Sequence, residues 1–272
     1  MYCYDVTDLK PSAMPEIPDL QIFSRNVTRK LGGKTIRRVR ILRPKRLKQP
    51  ESAFRKRLEG KVLKEVKREG KELWFHMGDG TIWSLHLMLH GELEFFDKKS
   101  ERPKTTIMEL EFDDAPGLRI RDFHGMALPS LDPVPKPGVD ALSRGLNATY
   151  LKKVFKSPSM VKNLLLDQDL IRGIGNAYVD EMLWHARISP FSIAGKVPDD
   201  RIEVLAKTIK SVLKSAEKHI LKLHPDHITG EIRDFLVVHN WKKEKSPGGA
   251  TIHVHKAGSR KTYYTDEQVL YK

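Results

Sequence analysis

Residues 170–181 read LIRGIGNAYVDE. Gly173 and Gly175 bracket an isoleucine, Asn176 follows, and a helical pattern begins there. A helix N-terminus carries unpaired backbone N–H groups, and glycines ahead of it leave room for an anion to reach them. The plainer alternative is a tight loop capped by Asn176. The chain holds 49 Lys and Arg against 35 Asp and Glu, a net charge of +14. Such an excess suits a polyanion, most often nucleic acid, held through its phosphates, although a solvated basic surface gives the same count. Metal chemistry is less well served. His239, His253 and His255 are candidate ligands, yet alternating strand histidines usually carry no metal and a tetrahedral site needs a fuller donor set. Cys3 is the single cysteine, which excludes disulfide frameworks and cysteine-built zinc fingers within the chain. No apolar run approaches the length of a membrane span, and the start lacks the pattern of a secretory signal. A cytoplasmic, nucleoid-associated location is the expectation.

These groups need a scaffold. A chain of 272 residues can build one to three domains around a buried core. Pro18 and Asp19 open an amphipathic helix in which Leu20, Phe23, Val27 and Leu31 share a face, and Gly32-Gly33 ends it. Strands follow. In KELWFHMGDGTIWSLHLML, Leu73, Phe75 and Met77 alternate, Gly78-Asp79-Gly80 turns the chain, and Ile82 begins the return. TTIMELEFDDAPGLRIRDF repeats the device, with Met108, Leu110 and Phe112 on one face and a Pro-Gly turn. Strands of this kind pack as a sandwich or a barrel. Residues 129–138, PSLDPVPKPG, carry four prolines and one glycine and read as a linker between domains. Beyond it the period becomes helical. Asn147 is placed to cap a helix containing Tyr150, Leu151, Val154 and Phe155. After Asp199-Asp200 a long stripe runs from Ile202 through Leu205, Ile209, Val212, Leu213 and Ala216 to Ile220. The tail returns to strands: Ile252 and Val254 alternate, Lys256-Ala257-Gly258-Ser259 turns, and Arg260 starts the second arm.

Four segments then carry a resemblance, in order: MPEIPDL from Met14, GKELWF from Gly70, MVKNLLLDQDLIRGIGNAYVDEMLWHARISP from Met160, and GSRKTYY from Gly258. On these residues the chain resembles the formamidopyrimidine-DNA glycosylase and endonuclease VIII family of base-excision repair enzymes, over residues 14–272. The resemblance implies an α+β fold with DNA in a central cleft. Its parts would be an N-terminal catalytic β-sandwich with flanking helices (14–128), the linker (129–138), a helix–two-turns–helix DNA-binding domain (139–238) and a C-terminal β-hairpin finger (239–272). It also implies a DNA glycosylase with AP lyase activity, monomeric and free of cofactors, acting on damaged double-stranded or partly single-stranded DNA. Pro15, exposed by removal of Met14, would attack the sugar carbon of the damaged nucleotide. A free α-amine titrates near about 8, so a useful share is unprotonated at neutral pH, and a secondary amine forms an iminium directly. Glu16 would be the acid/base, although an acid in the first turn of a helix also complements the macrodipole. Lys71, Lys162 and Asn176 would contact phosphate, with Gly175 permitting close backbone approach. Arg260, at the finger tip, would grip the phosphates flanking the lesion.

The chain departs from the family pattern in three places. Most relatives tie the finger with four cysteines around zinc. Here EKSPGGATIHVH and YYTDEQVLYK stand in those positions, as in the zincless finger of some endonuclease VIII-like relatives. The intercalation loop, IRDFHGM, is shorter than in relatives, and an arginine reading the opposite base has no counterpart. Phe123 or His124 is the expected wedge, with Leu89 a further one, and either weak discrimination of the opposing base or a preference for single-stranded, bubble or crosslinked substrates is expected. Finally, residues 1–13 precede Met14 as an extension, a misassigned or artificial start in this reading. With them attached the Pro15 nitrogen is an amide and cannot act as a nucleophile. Lesion-pocket contacts are expected from loops such as His224–Gly230. Two other readings stand beside this one: a non-catalytic binder of damaged or branched DNA, and an RNA-binding protein.

Overall fold

The stripe of Leu20, Phe23, Val27 and Leu31 forms helix α1 (Ile17–Leu31), and all four side chains are buried. Gly32 closes it through an N–H bond to the Thr28 carbonyl, and Gly33 reverses the chain at a φ of +78°. The computed structural model describes residues 14–44, 47, 49–97, 99–258 and 260–272. The 1–13 extension and the turn residue Ser259 lie outside them.

Elements are numbered in chain order. One sheet runs β1 (Ile36–Ile41), β6 (Thr106–Phe112), β7 (Gly117–Asp122), β5 (Gly91–Phe96). The other runs β2 (Leu63–Glu69), β3 (Glu72–Met77), β4 (Ile82–His86), β8 (Leu128–Leu131). Every neighbouring pair in both is antiparallel. The expected hairpins are β3–β4, turning through Gly78-Asp79-Gly80, and β6–β7. Their inward residues fill one core with α1 and the short helix α2 (Glu51–Leu58), and the Phe75 and Trp83 rings stack within it at 3.9 Å. Each large apolar side chain so enclosed contributes about 1.5–3 kcal/mol.

The proline-rich segment expected to be linker from residue 129 begins inside this sandwich. Leu128–Leu131 pairs with β4, and β8 lies at the edge of its sheet, where Pro129 is tolerated without a backbone donor. Beyond it, Val139–Asp140 (β9) pairs in parallel with Ile171–Arg172 (β10). Helices α3 (Ala148–Val154), α4 (Val161–Leu166), α5 (Asn176–His185) and α6 (Asp199–Leu223) enclose a second core. Asn147 caps α3 by accepting the Tyr150 N–H at 3.0 Å, and α6 buries Ile202, Leu205, Ile209, Leu213, Ala216 and Ile220. Ile17 packs into this helical core, whereas Leu20 and Phe23 pack into the sandwich. Helix α1 therefore stitches the two units at its N-terminal end.

The tail forms the two-stranded ribbon β11 (His253–Ala257) and β12 (Arg260–Tyr264). Ile252 is buried and β12 packs its Thr262 and Tyr263 against the body, but Val254 on the outer strand β11 is 53% exposed. Among the described residues no helix is long and apolar enough to cross a membrane.

Candidate active site

Pro15 and Glu16 lie buried at the start of α1. The Glu16 backbone N–H donates to Asp19 Oδ2 at 3.0 Å, so Asp19 supplies the acid of the first turn. The Glu16 carboxylate instead crosses to α5. Its Oε1 accepts the Ala177 N–H at 3.0 Å and its Oε2 the Tyr178 N–H at 3.5 Å. The anion at the mouth of this helix is thus an internal glutamate. A Cβ on Gly175 would sit 2.1 Å from Glu16 Cδ, and one on Gly173 would sit 2.5 Å from Ile17 Cδ1. Gly173 also adopts a φ of +98°. Both glycines serve to seat the chain's Pro15–Ile17 end against α5. At Gly175 the group brought close in this structure is the Glu16 carboxylate. Asn176 is likewise not the cap, which is Gly175; it is the first helical residue, and its Nδ2 donates to the Lys261 carbonyl of β12 at 2.8 Å.

Beneath Glu16, Asp19 is fully buried and forked by Arg233, with Nη1 at 3.2 Å from Oδ1 and Nη2 at 2.7 Å from Oδ2. The Arg233 guanidinium also lies over the Tyr178 ring, 4.8 Å from its centroid. The segment after α6, which includes the His224–Gly230 loop, is pinned to α1. Asn26 Nδ2 donates to the Pro225 and His227 carbonyls at 2.8 and 2.9 Å, and Phe23 meets the His227 ring edge-on. Burial pushes the Glu231 carboxyl up to about 7, opposed by Arg233 and reinforced by Asp19 and Glu16.

Lys71 stands in the two-residue turn between β2 and β3, after Gly70 at a φ of +57°. Arg68 bolts this turn to the helical domain through a bidentate pair with Asp140 at 2.7 and 2.9 Å, and donates to the Gly70 carbonyl at 3.0 Å. Burial pushes Asp140 up, but the Arg68 bonds outweigh it and hold its pKa below the usual carboxylate range. Burial lowers the Lys71 pKa, the Glu16 carboxylate opposes this, and Arg260 and Lys136 add to it. Glu16, Lys71 and the finger arginine therefore share one field. Beside Lys71 lies a cleft of about 110 Å³ lined by Glu72, His86, Lys136, Gln168 and Arg172. A larger concavity, about 850 Å³, lies on the outer sandwich face, where Arg37, Arg40, Glu109, Glu111 and Arg119 pair among themselves.

Lys162, expected to contact phosphate, is engaged within the protein in this structure. It is buried, with Nζ 2.7 Å from Asp180 Oδ1 and 2.8 Å from Thr262 Oγ1. It binds α4, α5 and β12 together, and contact with a phosphate would require that pairing to open. Arg260 is exposed on β12, opposite Ala257 in the last rung of the ribbon.

Of the expected wedge residues, Phe123 and His124 lie together, and Leu89 lies on the loop whose His90 meets His124. Leu89 is 47% exposed and Phe123 is 76% exposed. The His124 ring lies 5.2 Å from Phe123 and 4.3 Å from His90, which joins the two loops. Asp122 stiffens the second loop by accepting the N–H groups of His124, Gly125, Met126 and Ala127 at 2.7–3.0 Å.

The histidines considered as metal ligands are engaged separately. His239 Nδ1 is 2.8 Å from Asp180 Oδ2, His253 Nε2 is 3.2 Å from Asp266 Oδ2, and His255 packs against Phe191. The described residues hold no group of three or more His, Cys, Asp or Glu that could bind a metal. Glu267 joins the finger to the body, accepting the Trp184 Nε1–H at 2.9 Å and pairing with Arg187 at 3.0 Å.

Sequence reasoning missed Arg233, Glu231, Arg68 and His86. Only Asp19 left a signal, an acid three residues after Glu16 at a helix start.

Known proteins match this chain in sequence and fold. The formamidopyrimidine-DNA glycosylase N-terminal domain matches residues 14–127, and the formamidopyrimidine-DNA glycosylase H2TH domain matches residues 138–224. The chain is 30% identical over 269 residues to formamidopyrimidine-DNA glycosylase of Desulforamulus reducens, covering 92% of this chain and 97% of that one. It is 35% identical over 209 residues to the enzyme of the same name from Carboxydothermus hydrogenoformans, covering 74% and 76%. Among solved structures it is similar to Lactococcus lactis Fpg in complex with DNA containing an oxidised pyrimidine. That match has a TM-score of 0.84 at 26% identity over 93% of this chain and 99% of the other. The seating of Glu16 on α5, the hairpin lysine and the finger arginine thus occur within a matching sequence and fold, and the chain belongs to the formamidopyrimidine-DNA glycosylase family.

Proposed function

We propose that this protein is a base-excision-repair DNA glycosylase with AP lyase activity, in which Pro15 is the nucleophile and Glu16 the acid/base. The observation that supports the roles is the seating of Glu16, the residue next to Pro15, on the N-terminus of α5. The active form begins at Pro15. Its amine nitrogen attacks C1′ of an extruded damaged nucleotide, and the C1′–N bond to the base breaks with its electron pair leaving on the base. Glu16 takes the proton that the attacking nitrogen gives up and passes it to the sugar ring oxygen as the ring opens, and the nitrogen–carbon link becomes an iminium. That electron sink acidifies C2′; loss of its proton expels the 3′ phosphate and nicks the strand. No cofactor enters this sequence. Lys71 and Arg260 supply positive charge to the backbone phosphates, while Lys162, Gly175 and Asn176 hold α5 and the finger in register. The substrate places the enzyme on chromosomal DNA, in the cytoplasmic nucleoid.

Glu16→Gln tests the assignment, because it keeps size but loses charge and proton transfer. Base release should fall by roughly 10²–10⁴-fold with binding to lesion-containing duplex retained. Release at the wild-type rate would exclude Glu16 as the acid/base. A wild-type protein that binds damaged DNA without releasing bases would be the non-catalytic binder.

A further inference from the structure

The loop between β4 and β5 is strained. Met88 has a φ of +56°, a left-handed conformation that a residue with a side chain adopts only when its surroundings impose it. Three contacts impose it here. Leu87 is buried in the sandwich core. The Gly91 N–H closes the turn onto the Leu87 carbonyl at 2.8 Å, where a Cβ on Gly91 would lie 2.2 Å from that oxygen. The Met88 N–H donates to His86 Nδ1 at 3.0 Å. The turn presents Leu89 outward, and His90 reaches the His124 ring beside Phe123. Gly91 pairs with Asp122, so both wedge loops spring from one rung of the β5–β7 ladder.

Taking the glycosylase reading as given, we infer that His86 is the positioning residue of the wedge. Its Nδ1 lone pair holds Met88 in the left-handed turn that aims Leu89 and His90 at the Phe123 loop. The bond requires an unprotonated Nδ1, with the ring proton on Nε2. Burial pushes the His86 pKa down, which favours that neutral ring; Glu72, its cross-strand partner, opposes this, and Lys71 and Lys136 add to it. These same groups line the cleft beside Lys71, so the imidazole couples the phosphate side of the site to the wedge.

The test uses a duplex carrying a non-cleavable tetrahydrofuran abasic analogue with 2-aminopurine beside it, whose fluorescence rises when the wedge unstacks the bases. His86→Phe fills the space but offers no acceptor. His86→Asn returns an acceptor oxygen near the Nδ1 position. Met88→Gly in the His86→Phe background adopts the positive φ unaided. At saturating protein, His86→Phe should reduce the fluorescence rise roughly tenfold, while His86→Asn and the double variant recover most of it. A full rise with His86→Phe overturns the inference. So does a loss that neither His86→Asn nor the added Met88→Gly repairs, since His86 would then act only through general packing. Base release by the wild-type protein is measured separately and bears on the glycosylase reading alone.

Discussion

Gly175→Ala perturbs one contact at the centre of the site. Gly175 has a φ of −120°, an ordinary extended conformation, so alanine strains no backbone. The added Cβ, however, falls 2.1 Å from Glu16 Cδ and 2.4 and 2.5 Å from its oxygens. Merely to reach 3.0 Å, the carboxyl carbon must retreat about 0.9 Å, and Ala177 and Tyr178 lose or lengthen their bonds to it. Bonds to a charged acceptor contribute about 1.5–3 kcal/mol each, and the Tyr178 bond is long, so a stability loss of about 2 kcal/mol is expected. The kinetic effect is larger in kind. A displacement of about 1 Å in a reacting group costs roughly 10²-fold in rate. Single-turnover base release from a lesion duplex should therefore fall by about two orders of magnitude, with affinity for the tetrahydrofuran duplex within a few-fold of wild type. Undiminished base release from a folded Gly175→Ala protein would refute the claim that Glu16 acts from its seat on α5.

Three further outcomes are expected. Arg260→Ala should weaken binding to lesion DNA and reduce the slope of log affinity against log salt by about 1; an unchanged slope would remove Arg260 from the phosphate contacts. Asp19→Asn leaves Arg233 buried without its anion and should cost about 3–5 kcal/mol in thermal or urea unfolding, whereas a change under about 1 kcal/mol would show that the fork is unimportant. Glu231 is held at about 7, above the ordinary value of 4.5, so the unfolded chain releases that proton first and stability falls as pH rises between these limits. The ceiling is about 3 kcal/mol, and Glu231→Gln should flatten that part of the stability–pH curve; an equally steep Glu231→Gln curve would place the titration elsewhere.

What could be read from the sequence follows the range of the interactions. Helices α1 and α6 and the hairpins β3–β4 and β6–β7 are set by periodicity and turn residues a few positions apart, so their apolar spacing located them. Strand β8 was hidden because Pro129 reads as a breaker unless the strand is known to lie at an edge. The glycines at 173 and 175 announced a close approach, but the approaching group, Glu16, is some 160 residues away along the chain. The burial of Lys162 left no local sign because its partners Asp180 and Thr262 are 18 and 100 residues distant. Arg233 gave no local sign for the same reason, being 214 residues from Asp19. The motif residues could be named from the sequence. Which of them face DNA and which brace the protein depends on contacts that only the fold creates.

The most direct measurement is borohydride trapping on abasic DNA with protein prepared to begin at Pro15, compared with protein retaining Met14. A covalent adduct mapping by mass spectrometry to the Pro15 nitrogen, formed by the first and absent from the second, is the predicted result. An equal yield of adduct from the protein that retains Met14, or no adduct from a Pro15-initiated protein that binds the DNA tightly, would contradict it.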